Sequence, residues 1–116
     1  MWFRGRRATR SEINARVEDA LGSLPKADRK EAAQVMLALL RITRTAYAQE
    51  EARWGVKNAK AFIRRPHWGV QEIAEASLGE RRHRRTRNLL HKLRETGVVV
   101  MKSEETSESR LKKYSW

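Results

Sequence analysis

The 116-residue sequence contains no cysteine and only two prolines. The lack of cysteine excludes disulfide bonds, cysteine-ligated zinc sites and thiol catalysis. No stretch approaches the ~18 consecutive apolar residues of a membrane-spanning helix. The basic N-terminal residues are not followed by the apolar run of a secretory signal. We therefore expect a cytoplasmic, nucleoid-associated protein that contacts no membrane.

Acidic residues are scarce relative to basic ones. The chain has 26 Lys and Arg against 14 Asp and Glu, a net charge of +12 and a sequence pI near 11.1. A small protein with this charge attracts polyanions, and clustered Lys and Arg are typical of nucleic-acid binding. DNA is therefore the expected partner, with RNA and anionic membranes as the other polyanions to consider.

Signals of catalysis are also lacking. The sequence has no glycine-rich phosphate loop, no acid pair in an apolar setting and no nucleophile beside a base. His67, His83 and His91 do not have the spacing of metal ligands. We expect neither an enzyme nor a bound metal or cofactor. His67 is expected to pack beside Trp68, His91 to lie on the surface, and His83 either to contact DNA or to pack inward.

The chain divides into three predicted segments. Residues 1–10 form a basic arm, and residues 11–66 form a helical segment. Ser11 is the predicted N-cap of its first helix, and Asp28 begins a capping box for a long helix that ends near Arg53. Residues 57–65 are interpreted as a further short helix. The arm carries four arginines expected to enter a minor groove, whose potential attracts them: Arg4, Arg6, Arg7 and Arg10.

The predicted long helix has an unusually wide apolar stripe. Such a stripe usually covers two partners, which here are either two other helices or one helix and a second copy of the chain. We take it as a candidate dimer element and, alternatively, as packing within the monomer. The stripe comprises Ala32, Val35, Met36, Leu39, Leu40, Ile42, Thr43, Ala46 and Tyr47.

Residues 67–116 have a different organisation. The pattern predicts a short helix over residues 70–78, a turn at Gly79, and a longer helix over residues 80–96 that ends at Gly97. The β-branched run 98–101 is typical of a strand, residues 102–109 suit a hairpin tip, and residues 110–116 suit a return strand with Tyr114 and Trp116 on one face.

This segment resembles the winged helix-turn-helix superfamily. The resemblance covers about residues 69–116 and identifies no subfamily. It implies a mainly α fold with a small β-hairpin and an N-terminal helical extension. It also implies binding of double-stranded DNA, with the second helix in the major groove. It is carried by Ile73-Ala74-Glu75, Leu78-Gly79, Leu90, Leu93, Glu95-Thr96-Gly97-Val98-Val99 and the closing strand from Arg110 to Trp116.

The residues of the second helix support the same interpretation. Thr86, Leu89, Leu90 and Leu93 form a predicted buried face. The opposite face carries four predicted base-reading residues at positions i, i+3, i+4 and i+7: Arg81, Arg84, Arg85 and Asn88. Arginine bonds guanine and asparagine bonds adenine through two atoms each. The alternative is a merely solvated basic face.

The remaining cations are predicted to contact phosphates. Those before the helix-turn-helix would lie over the DNA backbone, as the superfamily implies, and the others flank the second helix or lie in the hairpin. The set is Arg82, Arg87, Lys92, Lys57, Lys60, Arg64, Arg65, Lys102, Arg110, Lys112 and Lys113. The glutamates at the hairpin tip, at 104, 105 and 108, would be repelled by phosphates and are expected to point away from DNA.

The leading functional hypothesis is a sequence-specific DNA-binding protein that regulates transcription. It would act as a homodimer or as an array on repeated sites, because one small module gives limited specificity. Plasmid or phage replication, partition and excision use the same chemistry. A second class is a protein-interaction module that uses an aromatic surface of Trp2, Phe3, Trp54 and Trp68. RNA binding ranks lower, since the pattern predicts no aromatic stacking platform on a sheet.

Overall fold

The computed structural model describes residues 2–3, 6–7, 9–54, 67–105 and 110–115. For 2–3, 6–7, 54, 102–105 and 110–112 it describes the backbone alone. Within these ranges the protein is mainly helical, with four helices and a small three-stranded antiparallel sheet. The predicted helix at residues 57–65 lies outside the described residues.

The N-terminal region differs from the predicted arm. Strands β1 (Trp2–Phe3) and β2 (Arg6–Arg7) pair antiparallel, with Trp2 opposite Arg7. Arg10 belongs to helix α1 (Arg10–Gly22). The predicted N-cap, Ser11, is wrong, because Thr9 stands three residues before Glu12 and completes a capping box with it. The backbone N–H of Glu12 donates to Thr9 Oγ1 over 3.3 Å, and that of Thr9 donates to Glu12 Oε1 over 3.1 Å.

Helix α2 (Lys26–Trp54) has 29 residues and begins directly after Pro25. The predicted start at Asp28 is therefore wrong, and Asp28 lies in the first turn. Its backbone N–H already bonds the carbonyl of Pro25 over 2.9 Å. Arg29 joins the two helices, because its guanidinium donates to the carbonyls of Gly22 and Leu24, each over 3.1 Å. These bonds satisfy carbonyls at the C-terminal end of α1.

Part of the wide apolar stripe of α2 is buried within the chain. The helix packs against α1 and against two further helices, α3 (Val70–Ala76) and α4 (His83–Glu95). These three helical neighbours cover the buried residues of the stripe, whereas Leu40, Ile42, Ala46 and Tyr47 are partly exposed. Leu37, outside the predicted stripe, is 64% exposed. The buried positions of α2 are Asp28, Ala32, Val35, Met36, Ala38, Leu39 and Thr43.

The sheet has one strand more than predicted. Strand β5 (Arg110–Ser115) lies between β4 (Val100–Glu105) and β3 (Trp68–Gly69) in an antiparallel sheet of order β3-β5-β4. Tyr114 pairs with Met101 on one side and with Trp68 on the other. The predicted tip at 102–109 therefore began too early, since residues 102–105 continue the ladder.

One core joins α1, α2, α3, α4 and the sheet. Its contributors include Leu24, Leu39, Ile73, Leu90 and Tyr114, each 6% exposed or less. Trp68 packs against this core and donates from Nε1 to Thr43 Oγ1 over 3.1 Å. The core therefore unites both halves of the sequence around α2. Among the described residues, no helix combines the length and apolar character that crossing a membrane requires.

Candidate nucleic-acid interface

A tight turn connects α3 to α4. Gly79 has a φ of +123°, a conformation that residues with a side chain rarely adopt. Its N–H donates to the carbonyl of Ala74 over 2.7 Å, and the N–H of Arg82 donates to the carbonyl of Gly79 over 3.0 Å. Arg41 of α2 donates to the carbonyl of Ala76 over 2.7 Å. The predicted glycine turn is confirmed, and α2 holds its first half.

The inner face of α4 is the predicted one. Thr86, Leu89, Leu90 and Leu93 are completely buried. The Thr86 hydroxyl donates to the carbonyl of Arg82 over 2.8 Å, so its polar atom is satisfied inside the core. Helix α4 begins at His83, because residues 80–82 form the turn, and it is followed by Gly97 with a φ of +85°. The start predicted at Glu80 was therefore three residues early.

One edge of α4 contacts the first turns of α2 through ion pairs. Arg85 donates to Asp28 Oδ1 over 2.7 Å and to Glu31 Oε1 over 3.0 Å. Lys92, two turns further along α4, donates to Asp28 Oδ2 over 2.5 Å. Arg82, in the turn, donates to Glu31 Oε2 over 2.8 Å. We call Asp28 and Glu31 the acid clamp.

The contacts of the acid clamp show that one of the four predicted base-reading residues is placed differently from the prediction. Arg85 does not lie on the exposed outer face of α4, and its side chain is only 27% exposed. Its side chain lies beside α2, where the carboxylates of Asp28 and Glu31 hold it. The charges that compensate Arg82, Arg85 and Lys92 come from α2.

The ion pairs shift the pKa values of their members. The side-chain hydrogen bonds from Lys92 and then from Arg85 hold the pKa of Asp28 below its usual value, and partial desolvation opposes them. The hydrogen bond to Asp28 raises the pKa of Arg85, again against desolvation. Both groups are therefore ionised at neutral pH, as an ion pair requires.

The opposite edge of α4 lies against the sheet. His91 meets Tyr114 edge to face, with ring centroids 6.3 Å apart. Arg94 Nη1 lies 3.6 Å from the sulfur of Met101 on β4. Burial raises the pKa of Tyr114, and the positive charges of Arg87 and Arg94 partly offset that rise. His91 is half-buried by this contact and is not the surface residue predicted.

Between these two edges lies an exposed polar stripe. Arg84 and Asn88 are one helical turn apart along its middle, with Arg81 in the preceding turn and Arg87 toward the sheet; all four are exposed. We call these four residues the exposed stripe. The first turn of α4 contains no acidic residue. Cations near a helix N-terminus are disfavoured by its dipole, so folding stability does not explain this arrangement.

The other predicted phosphate contacts are described less completely. For Lys102, Arg110 and Lys112 the structure places the backbone in the hairpin strands, and Arg6 and Arg7 are placed likewise in β2. Lys113 is half-buried on β5 opposite Gly69. Five predicted contacts lie outside the described residues: Arg4, Lys57, Lys60, Arg64 and Arg65. The tip glutamate at 108 lies outside them as well, and those at 104 and 105 are placed in β4 by backbone alone.

The histidines do not assemble a metal site. His83 is half-buried, and its Nε2 is buried without a hydrogen-bond partner, so the ring packs inward. His67 is half-buried beside Trp68. Within the part of the chain that the structure describes, no three side chains of His, Asp or Glu come together as metal ligands.

An open cleft of about 560 Å³ lies between the C-terminal parts of α1 and α4. Arg16 and Lys92 line it together with Asp19 and Glu95. Because both charge signs are present in equal number, the lining favours neither an anionic nor a cationic ligand. The cleft is therefore a weaker candidate site than the exposed stripe.

The sequence did not reveal that the first turns of α2 contact the cations of α4. Asp28 and Glu31 were interpreted as helix-capping residues, whereas their side chains face cations more than 50 residues later in the chain. A buried acid in a strongly basic protein needs a cationic partner, but the sequence does not identify which cation that is.

No family model, curated protein or solved structure matches this chain.

Proposed function

We propose that this chain is a sequence-specific double-stranded DNA-binding protein that places α4 in the major groove. The observation that carries the proposal is the exposed stripe on a helix fixed from three sides. The core lies beneath it, α2 contacts one edge, and the sheet contacts the other. A groove-reading helix must be held rigidly while its outer face stays free.

The side chains on the stripe suit base recognition. Arg84 has the two-pronged donor geometry that matches guanine, and Asn88 has the donor and acceptor that match adenine. Four residues of helix span about 6 Å, which corresponds to about two base pairs at 3.4 Å each. We therefore propose a target that contains a guanine and an adenine no more than about two base pairs apart.

The remaining stripe residues would fix the register of the protein on the duplex. Arg81 precedes α4 and Arg87 lies toward the sheet, so the two flank the reading pair on either side. Contacts from these flanking positions to phosphates would set that register. Arg85, by contrast, is no longer proposed as a base-reading residue, because the acid clamp holds it.

The order of the elements supports a winged helix-turn-helix interpretation. A short helix, a tight glycine turn, a second helix and an antiparallel hairpin follow one another, and the hairpin packs beside the second helix. We propose that the hairpin acts as a wing through its basic base rather than its acidic tip. In this interpretation the protein is a DNA-binding regulator and not an enzyme.

Selection of bound sequences from a random duplex pool tests the proposal. The selection uses the full chain at about 150 mM salt, which suppresses purely electrostatic binding. We expect an enriched motif with adjacent guanine and adenine contacts, and a repeated motif would reveal binding by two or more copies.

The control is Glu18→Gln, which alters one exposed charge on α1 and leaves the exposed stripe intact. It should enrich the same motif. A pool without enrichment, combined with binding that disappears as salt rises, would contradict sequence-specific recognition. Protein partners would then become the target of the search.

A further inference from the structure

The acid clamp neutralises cations that lie directly beside the proposed reading face. Three cations, Arg82, Arg85 and Lys92, contact two carboxylates through four N···O pairs of 2.5 to 3.0 Å. The side chain of Asp28 is only 9% exposed, so its charge has little access to solvent. In a chain of net charge +12, acids placed against the DNA-binding helix lower its attraction for phosphates.

The positions of the pairs argue for more than local stability. Asp28 bridges Arg85 and Lys92, two turns apart on α4, while Glu31 bridges Arg82 and Arg85. Exposed ion pairs contribute little to folding, and Arg82 at 50% exposure with Glu31 at 28% forms such a pair. The Glu31–Arg82 pair therefore adds little to stability, yet it occupies a cation that a phosphate would otherwise bind.

We infer that Asp28 and Glu31 act as an intramolecular competitor for phosphate and limit sequence-independent DNA binding by α4. This inference rests on the proposed function, because it assumes that α4 approaches DNA. Free cations beside the exposed stripe would add affinity for every duplex alike. The protein would then be retained on non-target DNA, which outnumbers any target greatly. The clamp leaves Arg84 and Asn88 as the groups that discriminate.

The test measures the affinity for a duplex of scrambled sequence as a function of salt. Each additional phosphate contact steepens the plot of log affinity against log salt by about 0.9. Glu31→Gln keeps the side-chain size and removes the charge. We expect it to steepen the slope by about one unit and to tighten scrambled-duplex binding by about three- to tenfold at low salt.

Two controls separate the clamp from a general change in charge. Glu18→Gln removes the same charge from an exposed position on α1 and should leave the slope unchanged. Arg82→Ala in the otherwise natural chain should also leave the slope unchanged, because Arg82 is already occupied. Denaturant unfolding of each variant establishes that the comparison is made between folded proteins.

The outcomes are distinct. A steeper slope for Glu31→Gln alone supports the inference. Equal slopes for Glu31→Gln and Glu18→Gln, or a shallower slope for Arg82→Ala, would overturn it. The proposed function fails separately, if the unsubstituted chain itself shows no preference for any duplex over the scrambled one.

Discussion

Arg84 and Arg85 are neighbours in the sequence, but the structure places them in different environments. Arg84 projects from the exposed stripe, whereas Arg85 contacts Asp28 and Glu31 of α2 and is largely covered. The two side chains have the same charge and the same hydrogen-bonding groups. The difference shows that the arginines of one basic helix are not all available to a ligand. One edge serves the packing of α4 on α2, and the middle of its outer face stays available.

The substitution with the largest expected effect truncates a core side chain of α4, the helix that carries both arginines. Leu90→Ala should destabilise the protein by about 2–5 kcal/mol, since Leu90 is completely buried on the inner face of α4 and its truncation leaves a cavity. Denaturant unfolding measures this loss. The matched control is Leu37→Ala, because Leu37 is 64% exposed on α2 and should change stability by less than about 0.5 kcal/mol. Similar losses at both positions would contradict the described core.

The comparison itself is tested by truncating each arginine in turn. Arg84→Ala should weaken binding to a selected target by about 1–3 kcal/mol and relax the preference at one base pair. Its effect on unfolding should be small, because the side chain is exposed.

Arg85→Ala should produce the reverse result. It removes a partner from the acid clamp and should lower stability, while base preference remains unchanged. Equilibrium binding to the target and to single-base variants, together with denaturant unfolding, measures both properties. A relaxed base preference in Arg85→Ala would return Arg85 to the reading face.

Acid pH should weaken the ion pairs between α4 and α2 and leave the exposed stripe unchanged. The pKa of Asp28 is lowered by Lys92 and Arg85, so its contribution is complete above its usual value. That contribution is lost as pH falls through the lowered folded-state pKa. The difference in unfolding midpoint between the unsubstituted chain and Asp28→Asn should be largest near neutral pH. It should shrink below about pH 4. A difference that stays constant down to about pH 2 would contradict the pairing.

The smallest expected effect concerns a phosphate contact. Arg87→Ala should weaken binding to all duplexes similarly and lower the salt slope by about one unit. Arg87 lies toward the sheet rather than toward the acid clamp, so no carboxylate of α2 withholds it. Salt titrations with target and scrambled duplexes provide the measurement. A loss confined to one base pair would instead make Arg87 a base-reading residue.

Local patterns predicted much of the fold. The inner face of α4 follows from apolar residues spaced three and four apart, and the turn follows from Gly79. The limits of elements were predicted less well. The N-cap of α1 is Thr9 and not Ser11, and α2 begins before Asp28. These starts were misplaced because several polar residues near each one are able to cap a helix. Strand β3 has only two residues, which carry too little periodicity to distinguish a strand from a turn.

The sequence by itself determined the net charge of the chain, the helical periodicity of α4 and the residue types on its outer face. These properties depend on composition and on spacing along one element. Tertiary structure alone decided which of the arginines stay free. Asp28 and Arg85 are separated by 57 positions, and their contact depends on how α4 packs against α2. Helical spacing defines which side chains share a face of one helix, but only the packing of a second helix determines which face remains open.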